Sequence, residues 1–227
     1  MVRAAGRRVR QDVPMAKDLL WRLGEQYEGS PLEPDACDAD PIVEVRRWMQ
    51  AAVDGGISTP NAVTLATVDD RGRPAARIVL LKEIDERGFV FYTNYDSRKG
   101  RDLAAHPQAA LVLYWEPLHR QVRVEGAIER ISGEESDAYF ASRPHGSQLG
   151  AVASPQSQVI ATRAQLEAAV GKLAAQYPGN VPRPPYWGGY RVVPDAVELW
   201  QGQPSRLHDR VHYRLVNGAW RRERLAP

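Results

Sequence analysis

Apolar positions alternate with polar ones from Ala62 onward, in short runs cut by turn-forming clusters. Ala62 to Val68, Ala75 to Leu81, Phe89 to Thr93, Ala109 to Trp115 and Gln121 to Ile131 each read as a strand. Asp69-Asp70-Arg71-Gly72 and Asp85-Glu86-Arg87-Gly88 supply the turns between them. Connections this short favour antiparallel pairing, and so many successive strands favour a closed or nearly closed barrel. Before this region, Ile42, Val45, Trp48, Met49 and Ala52 recur at helical spacing, which predicts a helix over Pro41 to Val53. Leu19 to Tyr27 also has a helical pattern. Further short helices are predicted at Lys99 to Ala105, Glu134 to Ala141 and Arg163 to Tyr177. Pro182, Pro184 and Pro185 mark a loop, after which Tyr190 to Val193, Val197 to Trp200 and His212 to Val216 return to strand character. The expectation is a mainly β chain with peripheral helices (α+β), forming one domain over residues 19–227 behind a disordered basic arm over residues 1–18. No internal repeat or low-complexity segment interrupts it.

Composition narrows the function classes. The 227 residues are 43% hydrophobic and 26% charged, as in an ordinary globular protein. Thirty basic against 28 acidic residues leave a net charge of +2, too balanced for a nucleic-acid footprint. A single cysteine, Cys37, excludes an internal disulfide and any multi-cysteine metal site, and fits a reducing cytoplasm. No apolar run has the length of a membrane-spanning helix. Arg3, Arg7, Arg8 and Arg10 are followed by no apolar stretch, so the N-terminus is not read as a secretory signal; Met15 is a candidate start.

The chemistry-bearing residues fall into clusters. Near the C-terminus, Arg206, His208 and Arg210 alternate, and an extended backbone would send all three to one face. Two permanent cations around an imidazole suit an anionic aromatic ligand, although a solvated basic edge strand has the same pattern. Ser97-Arg98-Lys99 opens a helix, where the N-terminal N–H groups and two cations suit a phosphate, or equally form a capped surface helix. Arg77 and Lys82 bracket the apolar run Ile78-Val79-Leu80-Leu81 but differ in parity, so a regular strand would put them on opposite faces. Tyr139 and Arg143 are neighbours on a helix face, and Ser147 lies in the turn beyond Pro144. Together they make a second phosphate pocket or simply a helix end. Gln121, Gln156 and Ser157 offer neutral donors and acceptors. Trp187-Gly188-Gly189-Tyr190 and Trp200 offer flat surfaces. Two phosphate-suited clusters, aromatic surface and no set of metal ligands would be accounted for by two phosphorylated aromatic ligands held side by side.

These segments resemble the pyridoxamine (pyridoxine) 5′-phosphate oxidase family. The similarity runs in order through Arg77-Ile78-Val79-Leu80-Leu81-Lys82, Phe91-Tyr92-Thr93-Asn94, Ser97-Arg98-Lys99-Gly100 and Arg120-Gln121-Val122. It continues in Glu135 to Phe140, Ser142-Arg143-Pro144, Ser147 to Gly150, Gln156-Ser157, Trp187 to Arg191, Trp200-Gln201-Gly202, Arg206 to Arg210 and Arg224 to Pro227. The resemblance implies an antiparallel FMN-binding split β-barrel, a homodimer with FMN at the subunit interface and O2 as oxidant. It assigns the FMN contacts to Arg77, Ile78, Val79, Leu80, Leu81, Lys82, Tyr92, Thr93, Arg98, Lys99, Gln121, Gln156, Ser157, Trp200 and Arg210. It gives the substrate phosphate to Lys82, Tyr139, Arg143 and Ser147, and the substrate ring to Arg206 and His208, the expected catalytic pair.

The chain departs from that pattern at its N-terminal side. Tyr27 matches a tyrosine expected over the substrate, but Gly24 stands where an arginine is usual, with Arg22 nearby. Thr59 precedes Pro60 where an acidic residue is common. Two other readings share most of these motifs: a sister split-barrel flavin oxidase acting on another aromatic, such as a phenazine precursor, and a non-catalytic flavin or pyridoxal-phosphate binding protein.

Overall fold

The computed structural model describes residues 26–227. The basic arm, Arg22, Gly24 and nearly all of the helix expected over Leu19 to Tyr27 lie outside them.

Among the described residues, eight strands form one antiparallel sheet: β1 Ala62–Val68, β2 Pro74–Asp85, β3 Gly88–Asn94, β4 Gln108–Trp115, β5 Arg120–Arg130, β6 Trp187–Gln201, β7 Asp209–Val216 and β8 Ala219–Arg224. The hydrogen-bonded order is β3-β2-β1-β4-β5-β6-β7-β8, and β3 also pairs with β6. The first six strands therefore close into a barrel, with β7 and β8 running on from it. Closure removes the unpaired edges that an open sheet would expose. The interior is built by alternation: Val63, Leu65, Leu111, Leu113, Val122, Val197 and Leu199 are all fully buried. Each contributes about 1.5–3 kcal/mol of burial free energy.

β6 makes the barrel split. Its first half pairs with β3, from Trp187 opposite Asn94 to Val192 opposite Phe89. Its second half, from Ala196 to Gln201, pairs with β7. The change of partner falls at Pro194, which has no N–H to give, and at a bulge opposite Glu125 and Gly126. A Cβ on Gly126 would sit 2.0 Å from the Val193 carbonyl oxygen, so the close approach there requires glycine. The two strands expected at Tyr190 to Val193 and Val197 to Trp200 are thus one continuous strand.

Among the described residues, five helices flank the barrel: α1 Pro41–Asp54, α2 Arg98–Ala105, α3 Gly133–Ser142, α4 His145–Ala153 and α5 Arg163–Gln176. Asp40 caps α1 by accepting from the Ile42 N–H at 2.8 Å, and the helix buries Ile42, Val45, Trp48 and Ala52 as the spacing predicted. Helix α4 and strand β8 have no counterpart in the sequence reading. Ser147 lies inside α4, not in the turn assigned to it. A second small core of Phe140, Leu149, Val181 and Trp187 ties α3 and α4 to the start of β6. Among the described residues, no helix is long and apolar enough to cross a membrane.

Candidate functional site

Where α3 and α4 meet the outer side of β2 and β3, they enclose a cavity of about 500 Å³. Four cations line it, namely Arg77, Lys82, Lys99 and Arg143, and among the described residues no carboxylate does. Arg77, Ile78, Val79, Leu80 and Lys82 form one wall, with Ile78 63% and Leu80 41% exposed in the single chain, while Leu81 is buried in the barrel core. Arg77 turns inward and donates to Thr67 Oγ1 at 2.7 Å and to the Leu65 carbonyl at 3.2 Å. The buried Asp102 carboxylate lies 3.5 Å from its NH2. Lys82 is the extra residue of a bulge between Leu81 and Glu83 and carries its Nζ 6.0 Å above the Tyr139 ring. Despite their parity, both ends of the run border the same cavity.

Ser97 Oγ caps α2 by accepting from the Gly100 N–H at 3.3 Å, as expected. Lys99 follows into the cavity, with Nζ 2.9 Å from Gln156 Oε1 and 3.2 Å from Thr93 Oγ1. Burial and the neighbouring Arg77 push its ammonium pKa down. Arg98 does not join it. Arg98 faces a separate depression with Asp69, Asp70 and Arg101. Gln156 lines the main cavity, whereas Ser157 is exposed and left-handed, with φ 71°.

Aromatic rings floor the other end. Tyr139 stacks on Tyr92 at 3.9 Å between centroids, and Tyr92 stacks on Trp187 at 5.5 Å. Burial pushes the Tyr92 phenol up to about 12, so it remains neutral. Arg143 caps α3 and lies 4.7 Å over the Trp187 ring. Burial lowers its pKa, and its NH1 is buried with no hydrogen-bond partner among the described residues. An unpaired, desolvated guanidinium is costly unless an anion completes it. Ser147 lines the same cavity, so Tyr139, Arg143 and Ser147 converge there, and Lys82, grouped with them by the resemblance, borders it too.

The remaining site residues lie elsewhere. Gln121, Trp200 and Arg210 form one cross-strand row over β5, β6 and β7, on the face away from the barrel interior. None of them lines the cationic cavity. Arg210 grips the buried Glu198 with both prongs, at 3.0 and 2.9 Å, and donates to the Ala226 carbonyl at 2.8 Å. Arg123 also reaches Glu198, at 3.2 Å.

The single extended face drawn for Arg206, His208 and Arg210 is incorrect. Pro204–Arg206 is a 3-10 turn, Ser205 and Arg206 are both left-handed (φ 56° and 61°), and β7 starts only at Asp209. Arg206 therefore leaves the strand face and lines a second depression of about 440 Å³ with Tyr27 and Gln203. His208 Nδ1 accepts from the Gln203 N–H at 3.1 Å. Its ring packs 4.6 Å from Trp200 and 5.1 Å from Tyr27. Burial and then Arg206 lower its pKa, so it is neutral near pH 7, with the proton on Nε2. Asp102 and Glu198, the buried acids behind Arg77 and Arg210, escaped the sequence reading. The available signal at Glu198 was a carboxylate set between two core positions, Val197 and Leu199.

A split barrel with a cationic, aromatic-floored cavity and a separate arginine–histidine cluster has the chemistry that suits phosphorylated aromatic ligands. Comparison with known proteins makes the class specific. The profile described as pyridoxamine 5′-phosphate oxidase matches residues 49–177, and that of the pyridoxine 5′-phosphate oxidase C-terminal dimerisation region matches residues 187–227. A pyridoxine/pyridoxamine 5′-phosphate oxidase of Thermosynechococcus vestitus is 60% identical over 196 residues, covering 86% of this chain and 92% of that one. The protein of the same name in Paraburkholderia phymatum is 56% identical over 209 residues, 92% and 99% of the two chains. Among solved structures, PhzG from Burkholderia lata 383, in complex with tetrahydrophenazine-1-carboxylic acid, superposes with a TM-score of 0.85. It is 31% identical, covering 89% of this chain and all of that one. The chain belongs to the pyridoxamine 5′-phosphate oxidase family and is an oxidoreductase. Its match to the dimerisation region points to a homodimer.

Proposed function

We propose that the protein oxidises pyridoxamine 5′-phosphate and pyridoxine 5′-phosphate with O2, giving pyridoxal 5′-phosphate and H2O2, with FMN as cofactor. The carrying observation is the cavity with four cations and no carboxylate among the described residues, in which Arg143 NH1 is buried without a partner. Such a site fits phosphates well. Lys82, Tyr139, Arg143 and Ser147 would take the substrate phosphate. Arg77 through Lys82, Tyr92, Thr93, Lys99 and Gln156 would hold FMN from one subunit, Arg98 and Ser157 would reach it from outside the cavity they do not line, and Gln121, Trp200 and Arg210 would contribute from the partner. Pairing the cavity of one protomer with the Arg206–His208 cluster of the other accounts for why one chain keeps them apart.

The flavin, when bound, supplies the two-electron acceptor that O2 then restores. The protein's own residues orient the substrate. Arg206 and Tyr27 would fix the pyridine ring. His208, with Nδ1 occupied by the Gln203 N–H, would present Nε2–H as a hydrogen-bond donor to the substituent being oxidised. The likeness to PhzG suggests a phenazine precursor as a second substrate class, but the cationic cavity favours a phosphorylated one. Purified protein should be yellow and should form an aldehyde from pyridoxamine 5′-phosphate under O2. A flavin-loaded protein that leaves pyridoxamine 5′-phosphate untouched and oxidises tetrahydrophenazine-1-carboxylic acid would overturn the assignment.

A further inference from the structure

His119 sits in the tight connection between β4 and β5, outside every motif singled out in the sequence. Its backbone is left-handed, with φ 50°. Few side chains tolerate that conformation, and histidine and asparagine are among them. The imidazole Nδ1 accepts from the Glu28 N–H at 3.3 Å, and its ring meets the Tyr27 ring at 5.1 Å and 84°. Its carbonyl oxygen accepts from the Gly202 N–H at 2.8 Å and from Gln201 Nε2 at 3.1 Å. One residue thus grips both the Tyr27 segment and the end of β6 that follows Trp200.

The packing around it leaves little slack. A Cβ on Gly202 would lie 2.6 Å from Tyr27 Cδ1 and 2.9 Å from His119 Cβ, and one on Gly29 would lie 2.4 Å from Gln201 Nε2. The segment after Tyr27 is tied to the same region by the Leu32 N–H on Asp209 Oδ2 at 3.1 Å and by Gln203 Nε2 on the Ser30 carbonyl at 3.2 Å. Held in this way, the Tyr27 ring stands edge-on to Trp200 at 5.6 Å and to His208 at 5.1 Å.

We propose that His119 is a positioning residue: through Nδ1 and the Glu28 N–H it latches the Tyr27 segment over the Arg206–His208 cluster and so sets substrate affinity. This rests on the functional reading above, in which Tyr27 and His208 face the substrate. His119 touches no reacting atom. Its loss should raise KM and leave the chemical step and FMN binding nearly unchanged.

Two substitutions separate the latch from bulk. His119→Phe keeps a ring against Tyr27 and removes the acceptor. His119→Asn loses the ring but places Oδ1 as many bonds from Cα as Nδ1, and it tolerates the left-handed backbone. In the FMN-loaded protein, the Glu28 amide should exchange its hydrogen about fivefold faster in the Phe variant and near the wild-type rate in the Asn variant. KM for pyridoxamine 5′-phosphate should rise about fivefold in the Phe variant alone, with kcat and FMN content within about twofold of wild type. His119→Ala removes the same acceptor without adding a larger ring and should reproduce the Phe pattern, so the test survives if the Phe variant folds poorly. Unchanged exchange in both the Phe and Ala variants would overturn the proposal. So would an Asn variant as impaired as Phe. Faster exchange with unchanged KM would uphold the latch itself and instead refute the placement of Tyr27 on the substrate.

Discussion

Arg143→Met should weaken the enzyme without weakening the fold. The guanidinium lies over Trp187 at 4.7 Å, an attraction of about 0.5–1 kcal/mol. Against it stands a buried NH1 with no partner, a penalty of about 1–3 kcal/mol. Methionine keeps most of the aliphatic packing and removes both effects. The two contributions oppose each other, so the Tm of the ligand-free protein should stay level or rise. Substrate binding should move the other way. Losing a charge-assisted contact to phosphate costs about 1.5–3 kcal/mol, roughly tenfold to a hundredfold in kcat/KM.

The assay is steady-state oxidation of pyridoxamine 5′-phosphate, run beside unphosphorylated pyridoxamine and beside a flavin count on each preparation. Pyridoxamine has nothing for Arg143 to grip, so its kcat/KM should be the same in wild type and variant. The comparison isolates the phosphate contact, because any general distortion of the site would harm both substrates. Equal losses on the two substrates, a Tm several degrees lower, or FMN content falling in step with activity would each refute the reasoning.

Three further outcomes follow from the same geometry. Co-expressed Arg143→Met and Arg206→Met chains should recover about a quarter of wild-type activity, because half the random dimers are mixed and each mixed dimer rebuilds one of its two sites across the interface; no recovery would place both residues in one chain's site. The lowered His208 pKa means that the unfolded chain takes up the proton first, so the stabilising contribution is complete above the ordinary imidazole value of 6.5 and is lost as pH falls through the lower folded value. Tm measured between neutral and mildly acidic pH should therefore fall more in wild type than in His208→Asn, and parallel curves would refute the assignment. At the left-handed Ser205, with φ 56°, Ser205→Val should cost about 1–3 kcal/mol whereas Ser205→Gly should leave Tm nearly unchanged; equal Tm values in calorimetry would contradict the turn.

Most strands were legible because barrel residues alternate between a wet and a dry face, and Val63-Leu65 or Leu111-Leu113 can be dry in only one register. The failures have local causes. Tyr190 to Val193 and Val197 to Trp200 read as two strands, but the bulge beside Gly126 carries β6 through Pro194 between them. Helix α4 carries Gly146 and Gly150 and starts at His145, after a Pro144 that offers no side-chain cap, so it has few of the marks by which short helices are recognised. Strand β8 is rich in arginine because it lies at the outer edge of the sheet, where little apolar pattern is needed.

The site was legible residue by residue but not as an arrangement. Residue types put Lys99 in one phosphate-suited cluster and Tyr139, Arg143 and Ser147 in another, with Lys82 added by the resemblance, and one cavity brings these five together. Strand parity could not carry Arg206 to its place, since two successive left-handed residues break the period before β7 begins. Nor does any local pattern reveal that Gln121, Trp200 and Arg210 form their own row, apart from the cavity. That separation is the strongest structural argument for a shared site. Arg210 is held by Glu198, and His208 by the Gln203 N–H. Groups so held on a face that does not line the cavity suit a site that a second copy, with its own cationic cavity, would complete under the proposed function.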